Sequence, residues 1–208
     1  MTSTKPTFTL FSTTGLSIML ILGLMLGFAA GVVVPRAFAS SSTPGDASAE
    51  AGFARDMSDH HAQAVHMAML AHQRAANGTL RVIAGDIAVT QQGQVGMMQQ
   101  WLREWGLNTN RTGSPMAWMP DGEQSLQDGL MPGMATPAEL TQLESATGPD
   151  FDRLFLKLMI KHHLGGIHMV DGVLKQSTNP DIVWLAGSMK SGQQGEITVM
   201  QQLQQSIG

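Results

Sequence analysis

Two adjacent histidine pairs, His60-His61 and His162-His163, stand in a chain of 208 residues that contains 16 Met, 7 His and no Cys. Imidazole nitrogen with thioether sulfur suits soft or borderline transition metals, copper in its monovalent state above all, and suits Ca²⁺ or Mg²⁺ poorly. Each pair has the same neighbours: Met57 and Met159 precede, Met67 and Met169 follow. A shift of 102 positions also lays Phe53 on Phe155, His66 on His168, Gln91-Gln92-Gly93 on Gln193-Gln194-Gly195, Val95 on Ile197 and Met98 on Met200. Landmarks that match over so long a stretch without an insertion define an internal repeat.

A plainer reading competes at every one of these residues. Met fills irregular cores, and for Met57, Met67, Met98, Met159, Met169 and Met200 packing outweighs direct ligation. For the two histidine pairs, metal contact and ordinary hydrogen bonding weigh equally, because the pairs recur within an otherwise apolar face. His66 and His168 fall on the outer side, and His72 has no partner in the repeat.

The elements that carry these residues are helical. At 100° per residue, Phe53, Met57, His60, His61, Ala64, Met67, Ala68 and Ala71 share one face, with Asp59, Ala62 and His66 opposite. Asn77-Gly78 breaks the pattern, and a second helix is expected over about 79–105 with Ala84, Ile87, Gln91, Val95, Met98 and Leu102 inward. In the later copy the helices are expected over about 150–175 and 180–204, parted at Asn179-Pro180-Asp181, with Pro180 suited to a first helical turn. Each two-helix unit has an apolar face it cannot bury alone. Residues 53–105 and 150–208 are therefore expected to close as a four-helix bundle, an all-α fold forming one domain over 53–208. Gly93, Gly96, Gly165, Gly166, Gly187 and Gly195 each cost about 1 kcal/mol relative to Ala inside a helix, and close helix contact would account for them.

The connector, residues 106–149, is rich in Met, Pro and Gly, which excludes one long helix. Thr136-Pro137-Ala138-Glu139 starts a short helix that ends before Gly148. Met116, Trp118, Met119, Met131 and Met134 are expected to lie along the bundle, as packing or as a copper-capturing flap. Trp101, Trp105, Trp118 and Trp184 read as structural.

Ahead of the repeat, the twenty residues Gly15 to Val34 carry no charge and end at Pro35-Arg36, followed by Ala37-Phe38-Ala39. This pattern predicts export, with residues 1–39 a signal peptide cleaved before Ser40 or a retained membrane anchor. Residues 40–52 read as a flexible segment. The rest is then extracytoplasmic: periplasmic or secreted after cleavage, otherwise membrane-anchored and facing outward. A net charge of −4 with 12 scattered basic residues leaves no footprint for nucleic acid. Without Cys there is neither a disulfide framework nor a thiolate nucleophile.

The stretches FARDMSDHHAQAVHM, MPGMATPAEL and FDRLFLKLMIKHHLGGIHM, with QQGQVGMM and QQGEITVM, closely resemble the DUF305 family over about residues 53–203. The resemblance implies a ferritin-like helical bundle and, from some members, copper handling outside the cytoplasm. It implies Met57, His60, His61, Met67, Met159, His162, His163 and Met169 as metal contacts. The family commonly has Glu in a Gln-x-x-Glu segment; Glu196 keeps it, as a metal or His-supporting residue, whereas Gln94 stands in the first copy. Ferritin-like di-iron chemistry would need two Glu-x-x-His motifs, but Glu196 is followed at that offset by Val199. Catalysis is therefore the minority reading. The preferred function is copper buffering, sequestration or transfer with an envelope protein as donor or acceptor; the alternative is a non-catalytic envelope protein-interaction module.

Overall fold

The computed structural model describes residues 43–111 and 113–207, so the apolar run 15–34 and the Ala37-Phe38-Ala39 boundary lie outside the described residues. Six helices follow in order: α1 (Ala49–Arg74), α2 (Gly78–Glu104), α3 (Gly122–Ser125), α4 (Pro137–Ser145), α5 (Gly148–Leu174) and α6 (Pro180–Ile207). Among the described residues none is long and apolar enough to cross a membrane.

The fold is all-α and built from two hairpin-like pairs, α1 with α2 and α5 with α6, as the repeat predicts. The hairpins meet chiefly through α1 against α5, whereas α2 and α6 touch only slightly. The four-helix expectation needs one correction. The connector contributes two short helices, α3 as well as α4, because Gly122 fits a turn packed directly against the Met116 backbone.

Local chemistry explains the boundaries. Ser48 accepts a hydrogen bond from the Ala51 amide at 3.2 Å, so α1 begins at Ala49 and takes in the last four residues of the stretch read as flexible. Asn77 caps α2 through the Leu80 amide. The turn ahead of α2 is pinned to α5, since the amides of Ala76 and Asn77 both donate to the buried Asp152 carboxylate, at 2.9 and 2.8 Å. In α4 the expected capping box is complete: Glu139 N–H donates to Thr136 Oγ1 at 3.1 Å, and Thr136 N–H to Glu139 Oε2 at 2.8 Å.

The connector is fastened to α1 by another buried carboxylate. Asp56 accepts from the Met116 amide at 2.7 Å, from Trp118 Nε1 at 2.9 Å and from Arg111 Nη1 at 3.1 Å. Trp118 then packs edge-on against Phe53, ring centroids 5.8 Å apart. Met116, Met119 and Met131 are buried and Met134 packs beside them. Trp101, Trp105 and Trp118 join this core, but Trp184 is 62 % exposed and is not structural in that sense. The helical glycines also divide. Gly165 and Gly166 are tightly faced by other residues, whereas Gly93, Gly96, Gly187 and Gly195 have open space where a side chain would be, so close contact does not explain those four.

Candidate metal centre

The buried residues form two groups along the bundle. One holds Met57, Met98 and Met169; the other holds Met67, Met159 and Met200. The repeat exchanges these triads: each takes two sulfurs from one hairpin and one from the other. Along α1 the pair His60-His61 falls between Met57 and Met67, and along α5 the pair His162-His163 falls between Met159 and Met169. The histidine pairs thus fall, along both helices, between methionines of the two buried apolar groups.

All four histidines are buried. The rings of His60 and His162 meet across the α1–α5 contact with centroids 3.8 Å apart and planes inclined by 35°. Within each pair the centroids are 6.4 and 6.5 Å apart. Three rings are held at the same nitrogen. His60 Nε2 donates to the Pro132 carbonyl at 3.0 Å, His61 Nε2 to Gln94 Oε1 at 2.8 Å, and His163 Nε2 to Glu196 Oε2 at 2.6 Å. A neutral imidazole that donates from Nε2 carries its lone pair on Nδ1. In all three rings Nδ1 is buried without a hydrogen-bond partner, and in His162 both nitrogens are.

The surroundings keep His60, His61 and His162 neutral. Burial pushes His60 down to about 4, against the pull of the Pro132 bond, and pushes His61 down to about 3, aided by His60. Burial, then the neighbouring His60, His163 and His61, holds His162 well below the ordinary imidazole value. A neutral ring is the form that offers a lone pair to a metal.

The connector completes the layer of histidines on one side. Its segment Met131-Pro132-Gly133-Met134 crosses α5 where Gly165 stands; a Cβ there would lie 1.9 Å from the Pro132 oxygen. Gly133 has φ +77° and sits against the Lys161 carbonyl and the His162 backbone, so no side chain fits there either. The Pro132 carbonyl can reach His60 only because both positions are glycine.

Of the nine residues singled out in the sequence, the structure brings the four histidines and Glu196 into one layer and divides the sulfurs, Met57 with Met169 and Met67 with Met159, between the two buried apolar groups. Among the described residues no three His, Asp or Glu side chains converge closely enough to hold one ion. By His, Asp and Glu alone, the layer is therefore not an assembled chelate. The remaining histidines lie outside it: His66 is exposed beside Glu144 at 3.2 Å, His72 is bonded to the Arg81 carbonyl, and His168 lies 3.8 Å from Asp121. Sequence reasoning missed the Pro132 carbonyl, which no pattern of side chains could reveal. It took Gln91 as part of an apolar stripe, although its equivalence with Gln193 was a usable signal.

Residues 50–204 match the family model described as a domain of unknown function (DUF305). The chain belongs to the DUF305 family. A putative secreted DUF305 protein from Streptomyces coelicolor is 41% identical in sequence, with a TM-score of 0.73 over 79% of this chain and 96% of that one. A DUF305 fragment from Deinococcus radiodurans is 31% identical, with a TM-score of 0.64 over 76% and 96%. CopM in its Cu(II)-bound form is 26% identical, with a TM-score of 0.59 over 76% and 97%. Comparison with curated proteins gives no match.

Proposed function

We propose that this DUF305 chain is an extracytoplasmic binder of transition-metal ions, copper first among them, that buffers, sequesters or transfers its cargo through the histidine layer and the flanking methionines. The observation that carries the reading is the shared anchoring of His60, His61 and His163. Metal-ligating histidines characteristically donate their second nitrogen to a carbonyl, amide or carboxylate, which fixes the ring and leaves the other lone pair for the ion. Here that anchoring recurs three times, and each free nitrogen is buried without a protein partner.

In this reading Met57, His60, His61, Met67, Met159, His162, His163 and Met169 supply donors, and Glu196 acts through His163. Because His60 and His162 lie face to face, capture would turn at least one ring so that its lone pair and a sulfur or a second nitrogen point at the same ion. The four long helices act as the ferritin-like four-helix core, with α3 and α4 as additions from the connector. Residues 1–39 serve export as signal or anchor, and an envelope protein receives or supplies the ion. Supporting this are the apolar run before Pro35, the description of the Streptomyces coelicolor relative as secreted, and the Cu(II)-bound state of CopM.

The test compares two sets of Ala substitutions in the full chain, at His60, His61, His162 and His163 or at His66, His72 and His168. Bound copper is measured by elemental analysis after removal of free ion, with helicity checked by circular dichroism. The first set is expected to lose most of the copper and the second to retain it. If folded variants of the first set keep wild-type copper, the histidine layer is not the site.

A further inference from the structure

One helical turn from the residues that anchor His61 and His163 stands a second repeat-related pair that metal capture by His and Met leaves unexplained. Gln91 and Gln193 are 2% and 3% exposed, yet the oxygen and nitrogen of both carboxamides lack a hydrogen-bond partner in the protein. A buried amide without a partner costs stability, and a core that needed only to pack would place Leu or Met there. The repeat instead holds Gln at both positions.

Their placement ties them to the donors. Gln91 lies three residues before Gln94, which bonds His61, and Gln193 three residues before Glu196, which bonds His163; residues so spaced share a helix face. The Gln193 amide is pressed onto α5 at Gly166, where a Cβ would lie 2.6 Å from its Oε1. Gly166 is three residues past His163, so this amide sits one helical turn along the same element. A side chain at 166 would take the space the amide uses.

We infer that Gln91 and Gln193 set the oxidation-state range of this centre, their carboxamide oxygens acting as neutral, harder donors that let a site of imidazole and thioether hold a divalent ion as well as a monovalent one. Thioether and imidazole satisfy a soft monovalent ion unaided, whereas a divalent copper ion favours nitrogen and oxygen. A neutral oxygen adds that preference without the repulsion or desolvation that a buried carboxylate would bring. The inference rests on the proposed metal-binding role.

The test uses the full chain and its Gln91→Leu/Gln193→Leu variant, with Cu(II) and Ag(I) as divalent and monovalent probes, each titrated in competition with a chelator of known affinity. Leu matches the amide in size and removes the unpaired groups, so the variant is expected to keep its helicity; the single Gln193→Leu variant serves if the double one does not fold. Cu(II) affinity is expected to fall by about tenfold or more, the size seen when supporting groups around a metal are removed, while Ag(I) affinity stays within about twofold. An unchanged Cu(II) affinity, or an equal loss for both ions, overturns the inference. A wild-type chain that binds neither ion overturns the metal-binding reading with it, whereas a wild type that binds both beside a variant that keeps both overturns only the role of the amides.

Discussion

The two hairpins carry the same histidine pairs but hold them differently. In the first, His61 is held by a neutral amide, Gln94, and His60 by the Pro132 carbonyl. In the second, His163 is held by the Glu196 carboxylate, and His162 has no partner at either nitrogen. The connector lies against both but by different means. On α1 it is bonded by the Gln63 side chain, which donates to the Ala135 carbonyl and accepts from its amide at 3.0 and 2.7 Å; on α5 the equivalent position is Gly165, and backbone meets backbone. Duplication supplies a symmetric set of side-chain types, and a single connector that can follow only one path, with one Gln/Glu difference, makes the two halves unequal.

The part the halves share carries the largest expected effect. Burial places His60 near about 4 and His61 near about 3, and lowers His162 well below 6.5. Each folded value lies below its unfolded one, so at intermediate pH the unfolded chain takes up protons that the fold refuses. Stability is therefore fullest above about pH 6.5 and declines as pH falls towards the lowered values, by about 1.4 kcal/mol per pH unit for each such ring. Thermal unfolding of the metal-free protein, with a chelator present, is expected to shift to markedly lower temperature between about pH 7 and pH 4.5. His61→Gln is expected to flatten that dependence by about one proton. An identical pH slope in wild type and variant would show that His61 does not titrate on unfolding.

A smaller effect separates the two ways the connector docks. Gly165→Ala drives a methyl group into the Pro132 carbonyl, a backbone group that cannot swing aside, and is expected to cost about 1–3 kcal/mol, towards the upper end. Gln63→Ala removes two hydrogen bonds in a partly buried place and is expected to cost about 1–2 kcal/mol. Gly165→Ala also displaces the acceptor of His60, so it alone should lower copper affinity. Denaturant unfolding with copper titration checks both halves of this expectation, and equal copper affinity in the two variants would sever Pro132 from the site.

What the sequence made legible follows from what repeats. Side-chain period located α2, α5 and α6 to within a few residues, the 102-residue offset matched the histidine pairs and the methionines of the two copies, and the family resemblance marked the Gln94/Glu196 difference. The helical-face argument also put His66 outside. Hidden from it were contacts made by backbone, such as Pro132 to His60, and the second short helix, which depends on how Met116 and Gly122 pack. The start of α1 was missed because Ser48 as a cap is one hydroxyl within a polar run. Pattern reveals faces; it does not reveal what an irregular segment lays across them.

The smallest expected effect decides which asymmetry matters to metal. Glu196 holds His163 with a charged acceptor, which makes the ring a better donor and favours a cation beside it; Gln94 holds His61 at nearly the same distance without the charge. Glu196→Gln is expected to weaken Cu(II) binding by up to about tenfold, and Gln94→Glu to strengthen it by a similar or smaller factor. The informative variant combines them. If the Gln/Glu difference is all that makes the hairpins unequal at the site, moving the carboxylate from one half to the other leaves Cu(II) affinity within about twofold of wild type, because the repeat relates the two positions. If the Pro132 anchor matters as well, the exchanged protein binds differently, since it joins a charged partner for His61 to an already anchored His60 and leaves His162 and His163 with no charged support. The structure favours the second outcome, because the Pro132 bond orients a ring in direct contact with His162, and a chelator competition on the four proteins measures it. Affinity restored to the wild-type value by the exchange would reduce the connector to a packing element and leave the carboxylate as the only difference between the halves that bears on metal affinity.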